Sequence, residues 1–168
     1  MLDMLLHIDT YTEPTDASAI DQAVAFTRIV GGRLSAAATH IDIRVPDNWL
    51  AERLLGVSRM AEAEEEKSLA AGRASLRYFE AAARTSEVFS ESAIVRSDYN
   101  SLGASIARLA RTRDLTVVAV TNPVGSQRIV AEDAIFGAGR PVLVFNPQKA
   151  PLPAAALERV SILWDGSR

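Results

Sequence analysis

The sequence predicts an α/β fold, a doubly wound parallel sheet with helices on both faces. Three observations carry that prediction. Short apolar runs at 1–8, 34–43, 87–95, 115–120 and 141–145 alternate with amphipathic stretches. The last two runs, Leu115-Thr116-Val117-Val118-Ala119-Val120 and Pro141-Val142-Leu143-Val144-Phe145, are nearly continuous and β-branched, as in strands covered on both faces. Each gap between strands is long enough for a helix, so the order is β-α-β-α-β-α-β-α-β with right-handed crossovers.

Each element has its own signal. Residues 1–8 form the first strand and end at Asp9. Residues 17–30 place Ile20, Ala23, Val24, Thr27 and Val30 on one helical face. Ser18 with Asp21 three positions on reads as a capping box, and Gly31-Gly32 as the stop. Residues 57–85 read as a long helix with Leu69, Leu76, Phe79 and Ala83 in register. Its run Glu62, Glu64, Glu65, Glu66 and Lys67 reads as a solvated face. Residues 100–113 place Leu102, Ile106, Leu109 and Ala110 on a stripe, with Asp98 or Asn100 as cap. A shorter helix fits 127–138, with Ser126 as its cap and Gly137 and Gly139 near its end.

Composition narrows the function. The chain has 168 residues and a formal charge of 18 − 21 = −3. That balance argues against a dedicated nucleic-acid binder. The absence of cysteine excludes disulfides, thiol catalysis and Cys-ligated metal sites. No apolar run approaches the roughly 18 residues needed to span a bilayer. The first residues, Met1-Leu2-Asp3-Met4-Leu5-Leu6-His7-Ile8-Asp9, lack a basic leader region. The expectation is a cytoplasmic protein without membrane or nucleic-acid partners.

Ligands of such sheets bind beyond the carboxyl ends of the strands, where the strand order reverses. The strand-end residues are Asp9-Thr10, Ile41-Asp42, Thr121-Asn122-Pro123 and Asn146-Pro147. Asp9 reads equally as a ligand contact or as the closure of a turn. Gly125-Ser126 reads as a helix entry, with a remnant anion nest as the alternative. Arg128 and Arg140 read as solvated surface residues. His7 and His40 would need Asp9 or Asp42 to complete a metal site, and half-buried strand histidines are the commoner case. No G-x-S-x-G elbow is present.

Beyond Asn146 the composition changes. Residues 148–157, with Pro151 and Pro153, read as a linker. Val160-Ser161-Ile162-Leu163-Trp164 then reads as a fresh strand leading into Asp165-Gly166-Ser167. Asp165 lies 165 − 9 = 156 positions after Asp9, so the tail repeats the opening strand and its acidic end.

The element order over 1–147, the Asp9 strand end, Thr112-Arg113-Asp114-Leu115-Thr116-Val117-Val118 and Gly139-Arg140-Pro141-Val142-Leu143-Val144 together resemble the universal stress protein family. The tail resembles the opening of a second copy. The resemblance implies a domain at 1–147, a Pro-rich linker at 148–157 and the first strand of a truncated second repeat at 158–168. It also implies a flavodoxin-like sheet of order 3-2-1-4-5, stress-response roles and two-fold pairing through the last strand. ATP-binding members carry a G-x2-G-x9-G-(S/T) phosphate loop after the fourth strand, where glycines let backbone N–H groups approach phosphate. Here Gly125 is followed by Arg128 and by Ala138-Gly139 at the other required positions.

The expectation is therefore a non-catalytic stress-response domain, a homodimer with residues 158–168 or the last strand at the contact. Its nucleotide site is degenerate, and no cofactor is assigned beyond ATP or AMP as candidates. The alternative is an adenine nucleotide binder for ATP or AMP without a full phosphate loop. Its candidate residues are Asp9, Thr10, Ile41, Thr121, Asn122, Gly125 and Ser126. No catalytic or metal-ligating residue is assigned, and weak ATPase activity is the least favoured reading.

Overall fold

The computed structural model describes residues 1–43, 57–122 and 124–149. The linker from 150 onward and the repeat segment 158–168 lie outside the described residues. The elements are β1 (Asp3–Ile8), α1 (Ala17–Ile29), β2 (Arg33–Asp42), α2 (Val57–Thr85), β3 (Phe89–Asp98), α3 (Leu102–Ala110), β4 (Leu115–Ala119), α4 (Ser126–Gly137) and β5 (Val142–Phe145). A 3-10 turn at Tyr99–Ser101 leads into α3. The five strands form one parallel sheet of order β3-β2-β1-β4-β5, as expected for the flavodoxin-like arrangement.

The pleat of β1 divides the core. Met4, Leu6 and Ile8 face one side, where Ile20, Ala23 and Val24 of α1 and Leu76, Phe79 and Ala83 of α2 pack. Leu5 faces the other, against Leu102, Ile106 and Ala110 of α3 and Val130 and Ala131 of α4. His7 and Asp9 follow Leu5 at the period of two and share its side. β1 is thus buried on both faces, which explains why its run is apolar at nearly every position.

Several local expectations are corrected. The N-cap of α1 is Asp16, and Ser18 is an exposed residue of the first turn, so no Ser18–Asp21 box forms. Asp21 instead accepts a hydrogen bond from the Tyr78 hydroxyl of α2, at 2.9 Å. The buried stripe of α2 runs through Ala61, Ser68, Gly72, Leu76, Phe79 and Ala83. Leu69 is only half-buried beside it. Leu109 is exposed because the buried face of α3 follows Leu102, Ile106 and Ala110. β4 is covered on both faces, but β5 is not, and Val144 is 44% exposed. The reason is topological. β5 stands at the edge of the sheet, with α4 packed against it and α1 facing it across a groove.

Other expectations hold. Asp98 accepts from Asn100 N and Ser101 N and caps the turn ahead of α3. Gly31 ends the α1 segment at φ +66, a left-handed conformation that costs a side chain strain but glycine little. A Cβ there would meet nothing within 4 Å, so the penalty is backbone strain alone. Gly31→Ala is expected to lower stability by about 1 kcal/mol in urea denaturation, with an unchanged m value.

Candidate functional site

The strand order reverses between β1 and β4, so the loops after these strands diverge and leave a cleft between them. The cleft holds about 440 Å³ and is lined by Thr12, Glu13, Asp16, Thr121, Asn122 and Gln148. Among the described residues that line it, two are carboxylates and none is a cation. Its electrostatics therefore disfavour phosphate.

The structure divides the seven candidate residues into two groups. Asp9, Thr10, Ile41 and Ser126 are buried, while Thr121, Asn122 and Gly125 are half-buried. Of these, Thr121 and Asn122 line the cleft. The buried group is tied up internally. Asp9, 1% exposed, accepts from Thr10 N at 2.8 Å and Tyr11 N at 3.2 Å through Oδ1. Its Oδ2 accepts from the Ser126 hydroxyl, which also lies 3.1 Å from the Tyr11 carbonyl oxygen. The Asp9 backbone is fixed as well, because its N–H donates to Thr15 Oγ1 and its carbonyl accepts from Thr15 N. Asp9 therefore closes the turn after β1 and fastens it to the first residue of α4.

This arrangement bears on anion binding. Helix N-termini attract anions through free N–H groups and the helix dipole. Here the side chain of the first α4 residue already holds a carboxylate of the same chain. Gly125 is the N-cap, extended at φ −85 and ψ 178, and its N–H is spent on the Asn122 carbonyl at 3.3 Å. Ser126 is thus not the cap expected from the sequence, but an anchor for Asp9. Residues 126–137, where a glycine-rich phosphate loop would need to run, form α4 instead.

A second set of bonds closes the β1–β2 side. Thr10 Oγ1 donates to the Thr39 carbonyl. That uses its one hydrogen, so the Ser68 hydroxyl must donate to Thr10 Oγ1 across 2.7 Å. Ser68 Oγ in turn accepts from Ile41 N at 3.2 Å. The Ile41 amide is therefore bound to α2 rather than offered to a ligand. Gly72, one turn along α2, lets the helix approach: a Cβ there would stand 3.3 Å from Thr10 Cγ2. Ser68 and Gly72 were missed because the sequence reading followed the leucines. Extending the period of four back from Leu76 finds both. Glu65 was missed too. It leaves the charged face to accept from Ile43 N at 2.7 Å, beyond the end of β2.

The other candidates fall into place. Gln127 Oε1 accepts from both Thr121 N and Thr121 Oγ1, at 2.8 and 3.0 Å, and shapes the loop after β4. Arg128 pairs with Glu132 on α4. His7 aligns with Ala37, three residues before His40, so the two histidines project from opposite faces of the sheet and cannot share a metal. His7 is fully buried, and burial pushes its pKa below the ordinary histidine value, with the nearby Asp9 pulling weakly the other way. Its Nε2 has no hydrogen-bond partner among the described residues.

A universal stress protein from Archaeoglobus fulgidus superposes with a TM-score of 0.55, covering 86% of this chain and 98% of that one. The fold is that of the universal stress proteins. The identity over this match is 14%. A universal stress protein family structure from Burkholderia pseudomallei gives the same TM-score at 19% identity, over 84% of this chain and 94% of that one. A universal stress protein solved in complex with cAMP also gives 0.55, at 17% identity over 88% and 99%. At the level of sequence, no family model and no curated protein matches the chain. Among the described residues, no helix of this universal stress fold is long and apolar enough to cross a membrane.

Proposed function

We propose that the chain is a cytoplasmic stress-response domain of the universal stress type. It acts by assembly rather than catalysis, and its nucleotide site is degenerate. The observation that carries this reading is the internal engagement of Asp9 with Ser126 at the start of α4. The groups best placed to meet a nucleotide are spent on the protein itself. Assembly would use β5, whose outer edge has no strand neighbour among the described residues. An open edge is a template for pairing with a second copy.

A second reading keeps the outer cleft as an adenosine site for ATP or AMP. It is favoured by the place of the cleft at the strand-order reversal and by the cAMP complex of a protein with this fold. A thermal shift with ATP, AMP and adenosine separates the two. Ligand at roughly 100 times Kd stabilises by about 2.7 kcal/mol, several degrees for a domain of this size. We expect no shift with ATP or AMP. A saturable rise with either would replace the first reading by the second.

A further inference from the structure

The two faces of the sheet are built unequally. On the α1–α2 side, Met4, Leu6, Ile8, Leu34 and Val117 meet apolar side chains of the two helices, with fully buried Phe79 among them. On the α3–α4 side, the register places Ser35 of β2 and Thr116 of β4 on either side of Leu5, and His7 follows Leu5 along β1. Ser35, Thr116 and His7 are each at most 1% exposed. Ser35 Oγ, Thr116 Oγ1 and His7 Nε2 have no hydrogen-bond partner among the described residues. The other such atom among them, Arg113 Nε, lies ahead of β4 and outside the sheet.

A buried polar atom without a partner has lost its hydration with nothing in return, and it regains water when the layer above it lifts. Three such atoms under one layer favour the opening of that layer. The opposite face of the sheet carries none among the described residues. α3 and α4 also hold each other closely. A Cβ on Gly103 of α3 would overlap the Asp133 carboxylate of α4, and one on Gly137 would stand 3.2 Å from Ala107 Cβ. Arg111 Nε, just past α3, donates to the Gly137 carbonyl at 3.1 Å. Hydroxyl contacts tie the pair to the strand ends, Ser105 to Ser97 at 3.2 Å and Ser126 to Asp9.

We propose that α3 and α4 form a layer that opens as one unit while α1 and α2 stay closed over the other face. Opening hydrates Ser35, Thr116 and His7 together. It also parts Ser126 from Asp9, so the turn after β1 is released in the same event. Native proteins open in contiguous units of this kind, at a lower free energy than global unfolding.

The chain has no cysteine, so single introduced thiols report on each face. Ala36 and Ala37 are neighbours on β2, both 2% exposed, and they face opposite layers. In the full chain, the Ala37→Cys thiol is expected to react with a disulfide reagent roughly tenfold faster than the Ala36→Cys thiol, and with a weaker dependence on urea. Val24→Ala, beneath α1, should speed labelling of Ala36→Cys by about tenfold and leave Ala37→Cys unchanged. Thr116→Val, which removes one unpaired hydroxyl at nearly constant shape, should slow labelling of Ala37→Cys by about tenfold. Hydrogen exchange of the parent chain reads the same event without a thiol: amides of α3 and α4 should exchange as one set, ahead of those of α1 and α2. Equal labelling at the two thiols, or the reverse order, would overturn the proposal. So would α3 and α4 exchanging as separate sets, or a Thr116→Val chain that labels as fast as its parent.

Discussion

Asp9→Ala is expected to lower the stability of the domain by about 2–4 kcal/mol. The carboxylate accepts from Thr10 N, Tyr11 N and the Ser126 hydroxyl in a site closed to solvent. Truncation leaves both amides without an acceptor. Ser126 alone can turn to the Tyr11 carbonyl, 3.1 Å away. Asp9→Asn should be milder, at about 1 kcal/mol. Its Oδ1 still serves the two amides, and its Nδ2 can donate to Ser126 once that hydroxyl turns to Tyr11. Urea denaturation of the two variants gives the ranking. A residue kept only to contact a ligand would show the opposite pattern, with unchanged stability in both.

The second large effect is acid lability through His7. Burial holds its pKa in the folded state below the unfolded value of about 6.5. Above that value both states are neutral and His7 contributes no pH dependence. As the pH falls below it, the unfolded chain takes up the proton first. Stability then falls by up to about 1.4 kcal/mol per pH unit until the folded-state pKa is reached, and levels off beneath it. His7→Leu should remove this component, flattening stability between pH 7.5 and 5 relative to the parent chain. Equal slopes in the two proteins would show that the acid limb belongs to other groups.

The fold was legible because its signals are local and repeated. β4 announced itself by a continuous β-branched run, and α1 by a clear apolar face ending at a glycine pair. The helix stripes were less legible where the buried residue is small or polar. Ser68 and Gly72 carry no hydrophobic signal, yet they sit on the buried face of α2 because Thr10 and the Ile41 amide need a partner and close approach. β5 carried the pattern of a doubly covered strand but stands at an edge, because the strand order that puts it there is not encoded in its own run. The site was half legible. Asp9, Thr121 and Asn122 were placed by the strand-end rule. The use of Asp9 depends on Ser126, 117 positions away, and no local pattern encodes that pairing.

The central place of β1 has a consequence for synthesis on the ribosome. β1 emerges first, yet one of its two partners is β4, and Ile8 and Leu115 are 115 − 8 = 107 positions apart. At about 5–20 residues per second the nascent chain waits roughly 5–20 s for that partner. The α1–α2 side can close over Met4, Leu6 and Ile8 during that interval. Leu5, His7 and Asp9 stay uncovered until α3 and α4 arrive. The side of the sheet that carries the buried histidine and the Asp9 anchor is therefore completed last, and it is the part of the nascent protein most in need of shelter.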